Sequence, residues 1–167
     1  MRAIAVLPAG SWNSARQVDA VRLEFDHRHR RRILLVTEGG AELLVDLPEA
    51  VRLREGDGLA LESGDVVRVV AKPEALLEIH AHDEDSLVRI AWHLGNRHLP
   101  VQLLPGRIRI RADHVIGAMV EGLGGHVEAI EVGFDPEPGA YAGVAPHQHH
   151  HHDDEDDAPG HDHGHAA

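Results

Sequence analysis

Residues 76–134 read LLEIHAHDEDSLVRIAWHLGNRHLPVQLLPGRIRIRADHVIGAMVEGLGGHVEAIEVGF, and the order of patterns inside this stretch decides the fold. Residues 76–81 are a short apolar run with the length of a strand. From 84 to 94, Leu87, Ile90, Ala91 and Leu94 recur at the three-and-four spacing of a helix face. Short strands are expected over 101–104 and 108–110, separated by Pro105-Gly106. Asp113 is a good N-cap, because its carboxylate can accept from the free N–H groups of a first helical turn. The helix it opens carries Val115, Ile116, Met119, Val120 and Leu123, until Gly124-Gly125 stops it. A strand over 127–134 completes the order βαββαβ, the split arrangement of ferredoxin-like domains. That fold hosts many unrelated activities, so function has to come from particular side chains.

Upstream, residues 18–70 carry strand signals. Val21, Leu23 and Phe25 alternate with Arg22 and Glu24, and 33–37 and 41–47 flank Glu38-Gly39-Gly40 as hairpin arms, with Pro48 expected to end the second. Shorter apolar pieces at Val51 and Leu53, Leu59 and Leu61, and 66–70 are parted by turns at Gly56-Asp57-Gly58 and Ser63-Gly64-Asp65. Lys72-Pro73-Glu74 marks a break. The expected fold class is α+β: a small all-β N-terminal domain over 1–72, a ferredoxin-like domain over 73–143, and a disordered tail over 144–167. With 43% hydrophobic but only 3% aromatic residues, the core must be aliphatic. The opening MRAIAVLPAG imitates a signal peptide only weakly, since Pro8 breaks it and Arg16 and Asp19 soon follow. No stretch approaches the ~20 apolar residues that span a bilayer. A cytoplasmic protein is expected.

Downstream, residues 147–165 read HQHHHHDDEDDAPGHDHGH. This segment holds eight of the 16 histidines, six carboxylates and no Lys or Arg, so neutral imidazoles stand beside fixed negative charge. Imidazole suits nickel, copper and zinc, whereas carboxylate alone would suit calcium or magnesium, so His147, His149, His150, His151, His152, His161, His163 and His165 are candidate ligands for a late first-row ion. A ligating imidazole must be unprotonated, so capture should weaken as pH falls through about 6 to 7. Gln148 interrupts the run and a second, spaced cluster follows the acidic block, which argues against an affinity tag. The absence of cysteine excludes disulfides, iron–sulfur clusters and thiolate zinc sites. A net charge of −12 argues against general nucleic-acid binding, and the basic run Arg28, Arg30, Arg31 and Arg32 reads as a solvated loop or strand edge.

The segment His93-Leu94-Gly95-Asn96-Arg97-His98 with Leu99-Pro100-Val101-Gln102 after it, then Asp113-His114-Val115, then FDPEPGAY over 134–141, resembles the C-terminal domain of the UreE family of urease accessory proteins, which are nickel metallochaperones. Leu47-Pro48 and Arg54-Glu55-Gly56-Asp57 resemble that family's N-terminal domain, so the resemblance covers nearly the whole chain. It implies a homodimer in which His98 binds Ni(II) across the two-fold axis with its symmetry mate, with a metal-linked tetramer as a further form. His114 matches a position of an auxiliary ligand and His93 another metal-site position. Some members carry an additional histidine where this chain has Ala112, which shifts recruitment toward the tail. The implied partners are the urease accessory GTPase and the apo-urease complex, with no nucleic acid and no membrane. Zn(II) and Cu(II) are accepted by the same donors.

Residue chemistry makes the His98 assignment credible independently. Gly95-Asn96 is a helix-stopping pair, so His98 should stand just beyond a helix end, outside core packing. One histidine per chain is too few for a tight site, and a two-fold axis doubles the ligand count. His80 and His82 are spaced to share a strand face and could hold a metal, although a polar strand end explains them as well. His27 and His29 lie among arginines that disfavour cations, and His126 merely opens the last strand. No local cluster offers three fixed ligands with a general base, so an enzyme is not expected. The alternative is a histidine-rich nickel or zinc storage or buffering protein, with the tail as its working part. The β-rich half suits a partner- or peptide-docking role beside either reading.

Overall fold

Residues 1–138 are described by the computed structural model. Six strands form the first sheet: β1 (Arg2–Leu7), β2 (Gln17–Leu23), β3 (His29–Val36), β4 (Glu42–Arg52), β5 (Gly58–Leu61) and β6 (Val66–Ala71). Their spatial order is β2-β6-β5-β1-β4-β3. Inward positions Ala3, Val21, Leu43, Val45, Leu59 and Val67 are wholly buried, giving the aliphatic core that the composition requires. Each buried Val or Leu contributes about 1.5–3 kcal/mol relative to exposure.

Two details depart from the sequence reading. The strand signals read from the sequence begin at residue 18, but the opening segment is already a strand, β1, inserted between β5 and β4 and parallel to β4. Only Ala3 of that strand is fully buried and Ile4 faces outward, so it shows no clean alternation that would announce it. Pro48 does not end β4. The ladder jumps from Arg32↔Asp46 to Arg30↔Val51, leaving residues 47–50 as a bulge in which Pro48 has no ladder hydrogen bond to donate.

The second sheet contains β7 (Pro73–His80), β8 (Gln102–Leu104), β9 (Arg107–Arg111) and β10 (His126–Gly133), in the order β10-β7-β9-β8 with every neighbour antiparallel. Helices α1 (Glu84–Gly95) and α2 (His114–Gly122) interrupt it at the expected places. This is the ferredoxin-like arrangement, so the α+β class with its all-β first part is the one observed. Both helices cover one face, where Ile90, Leu94 and Val120 meet Ile79, Ile108 and Ile110. Gly124 has φ +86°, and a side chain at Gly125 would meet Val120 Cγ1 at 2.6 Å, so this pair both ends α2 and lets β10 pack closely.

The opposite face of the second sheet is covered at one end by Phe25 and Phe134, whose rings meet edge to face at 5.4 Å over Leu76. Met1–Glu137 forms one compact unit. Arg28 corrects the reading of the basic run. Arg30 to Arg32 do lie on edge strand β3, but Arg28 is 1% exposed. Its guanidinium donates to the Phe134 carbonyl and pairs with Asp135 at 3.2 Å. Arg54 reaches the same carboxylate, and Arg111 pairs with Asp26 at 2.7 Å.

Several carboxylates are held below their ordinary range. The Lys72 ammonium does this for Glu24, and Arg2 for Asp46. A lowered native value means stabilisation that is present above the ordinary value and lost as pH falls through the native one. The unfolding midpoint should therefore begin to fall as pH drops below the ordinary Glu value of 4.5. Calorimetry across an acid series checks this, and a midpoint that rises with acid would contradict it.

Candidate metal centre

Helix α1 begins at Asp83, whose side chain accepts from the Ser86 N–H, with Glu84 and Asp85 complementing the positive end of the helix. It buries Ile90 and Leu94 and leaves Val88 and Trp92, one turn apart, 63% and 64% exposed. The predicted stop falls in the right place by a different device. Asn96 keeps right-handed geometry, and the residue that turns the chain is His98, with φ 55°. Its N–H donates to the Gly95 carbonyl at 3.0 Å. His98 is the one non-glycine residue with positive φ among the described residues. For an L-residue this conformation costs about 1–2 kcal/mol, and strain of this kind concentrates at functional positions. The imidazole is exposed, as expected for a residue outside core packing.

His114 is the first residue of α2, beside its cap. Asp113 Oδ1 accepts from the N–H groups of Val115 at 2.8 Å and Ile116 at 3.1 Å. Replacing Asp113 with Ala should lower stability by about 0.5–2 kcal/mol, measurable by urea titration. An unchanged midpoint would mean that packing alone starts the helix.

Leu99 and Pro100, which follow His98, and Ala112 and Asp113, which precede His114, line one open cleft of about 430 Å³. The two histidine-bearing loops thus converge on a common rim. His93 is half-buried, and its ring stands edge to face against Trp92 at 5.0 Å. Val115, adjacent to His114, is 62% exposed. His93, His98 and His114 do not form a three-ligand group within one chain.

The group of that kind among the described residues is Glu78, His80 and Glu128, on the sheet face turned away from the helices. His80 is therefore joined to carboxylates on β7 and β10, rather than to His82, which lies beyond the strand end. The sequence signal was the alternation of Glu78 with His80 and of His126 with Glu128, but their adjacency needed the strand register. His27 and His29 are exposed beside Arg28. The tail histidines His147, His149, His150, His151, His152, His161, His163 and His165 lie outside the described residues.

Two family models match the chain: the UreE urease accessory protein N-terminal domain over residues 2–72 and the C-terminal domain over 74–165. A urease accessory protein UreE of Bradyrhizobium sp. (strain ORS 278) is 55% identical over 142 residues, covering 85% of this chain and 67% of the relative. The protein of that name from Rhodopseudomonas palustris (strain BisB18) is 52% identical over 149 residues, covering 89% and 70%. That from Rhodobacter capsulatus is 45% identical over 163 residues, covering 98% and 93%. These relatives are named as accessory proteins rather than as enzymes, and among the described residues no helix is long and apolar enough to cross a membrane. With both halves matched in sequence and in order, this chain belongs to the UreE family of urease accessory proteins.

Proposed function

We propose that the chain is a cytoplasmic metallochaperone that delivers Ni(II) for assembly of the urease active site. It works as a homodimer in which His98 of each protomer holds one ion on the two-fold axis. The observation that carries this reading is the exposed His98, held in a strained turn beside the His114 loop and without a complete ligand set in one chain. A second copy supplies the missing imidazole, and the exposed Val88, Trp92 and Val115 give the helices an apolar surface for it to cover. A site shared in this way stays open and can release its cargo to the accessory GTPase and apo-urease complex.

In this reading, residues 1–72 serve partner or peptide docking, 73–143 serve dimerisation and metal binding, and 144–167 collect ions. The tail histidines gather Ni(II) and, being tethered, present it to the interface at an effective concentration of about mM for a short linker. His114 and His93 are auxiliary ligands. Zn(II) and Cu(II) compete for the same donors, so selectivity depends on supply and partners.

Calorimetric titration with Ni(II), combined with mass determination, tests the division of labour. A chain lacking residues 147–167 should keep the dimer and the ion on its two-fold axis, and His98→Ala in that background should lose that ion. Loss of all binding on truncation alone would sink the proposal. It would favour storage or buffering, a reading that rests on the density of histidine in the tail.

A further inference from the structure

The uncovered part of the second sheet's outer face holds a grid of side chains that the His98 reading does not use. On β7, Glu78 and His80 point the same way, two residues apart. On β10, Glu128 stands opposite Glu78 and His126 opposite His80. On the other flank, Arg109 stands opposite Glu78. Ligand atoms of Glu78, His80 and Glu128 all lie within 4.8 Å of one another. We infer that Glu78, His80 and Glu128, with His126 as a fourth donor, form a second, exchangeable site for a zinc-class divalent ion, one per protomer.

The geometry suits an ion of that class. Two ligands at about 2.0–2.1 Å from a tetrahedral ion stand about 3.3 Å apart. His80 Nε2 and Glu78 Oε1 are 3.2 Å apart, so an ion can be received there with β7 left in place. Glu78 is positioned from behind: Arg109 Nε donates to its Oε2 at 2.7 Å, and Arg107 Nε lies 3.3 Å from the same atom. That leaves Oε1 aimed at the imidazole, the outer-sphere arrangement that orients ligating carboxylates. Burial pushes the Glu78 carboxyl up, but Arg109, Arg107 and His80 together hold it below its ordinary range, so it ligates without first shedding a proton. Glu128 and His126 are exposed and free to swing onto an ion.

The mixture of imidazole and carboxylate selects a borderline late first-row ion over calcium or magnesium. The two arginines nearly cancel the two carboxylates, so electrostatics hold a cation here only moderately. This makes the site a station for exchange rather than a structural one. It lies on the face away from the helices and needs no second chain, so it fills independently of the dimer site.

The test uses the full-length chain with its eight tail histidines changed to serine and His93, His98 and His114 changed to alanine, so that the other proposed ligands are absent. Equilibrium dialysis against zinc chloride should leave one ion per chain, with shifts of the His80 and His126 ring nitrogens in ¹⁵N spectra. His80→Ala and Glu128→Gln should each weaken that binding at least tenfold, and His82→Ala should leave it unchanged. Glu128 is exposed, so Glu128→Gln keeps the fold, which circular dichroism verifies. Absence of zinc from the substituted chain, or equal affinity in all three variants, would overturn the site and reduce the cluster to an ion-pair network. Because His98 is already removed, either result is independent of the dimer proposal.

Discussion

Replacing Arg28 with alanine is expected to lower the unfolding free energy by about 3–5 kcal/mol, the range for breaking a buried ion pair from one side. Arg28 is 1% exposed, donates to the Phe134 carbonyl, pairs with Asp135, and stands 5.7 Å from the centre of the Phe25 ring. Alanine leaves that carbonyl without its donor and opens a void beside Phe25 and Phe134. Arg54 still reaches Asp135, so the carboxylate is not stranded and the loss sits toward the lower end. Arg28→Met fills the void with apolar volume and should recover part of it. The Arg28 Nε has no partner, so the native pairing is itself incomplete, and methionine forfeits only the bonds to Phe134 and Asp135. Urea titration of both variants checks the order. A loss below 1 kcal/mol for Arg28→Ala would mean that packing of Phe25 on Phe134 holds the two sheets without the arginine.

His98 is expected to separate backbone strain from metal binding. His98→Gly accepts the positive φ without steric penalty, recovering much of the ~1–2 kcal/mol of left-handed strain while losing ~0.5–1 kcal/mol to added freedom of the unfolded chain. Its stability should therefore equal or slightly exceed that of the parent. His98→Ala keeps the strain and gives up the tolerance that histidine shows for left-handed geometry, so it should be the least stable of the three. If His98 holds nickel across a two-fold axis as proposed, both variants should lose that ion's binding by at least about 100-fold, beyond the ~10–100-fold typical of losing an outer-sphere partner. Both should fail to support urease activation when nickel is scarce. Nickel titration of the tail-less dimers, set beside urea titrations, reads the two effects separately. A glycine variant whose nickel affinity and stoichiometry matched those of the parent would remove His98 from the site altogether.

Much of this fold is legible because its signals are local. The helix face of Leu87, Ile90, Ala91 and Leu94, the Asp113 cap and the glycine turns at Gly56 and Gly64 each depend on a few neighbouring residues. β1 is not legible in that way, because its place between two strands comes from pairing with residues about 40 to 60 positions away. Pro48 misleads for the same reason: a proline breaks a regular ladder but is tolerated in a bulge, and the bulge belongs to the partner register. Arg28 reads as one of four surface arginines until Phe134 and Asp135, more than 100 residues later, fold over it.

Local sequence was enough for the α+β class, the βαββαβ order and the family, since these follow from short-range periodicity and motif strings. Tertiary structure alone decided that His98 is the residue in left-handed geometry, that its loop shares a cleft with that of His114, and that Glu78, His80 and Glu128 meet while His82 stands apart. The physical reason is that a strand or helix pattern is written in adjacent residues. Which side chains become neighbours across a sheet is set by register and packing between distant segments, and single residues do not record that.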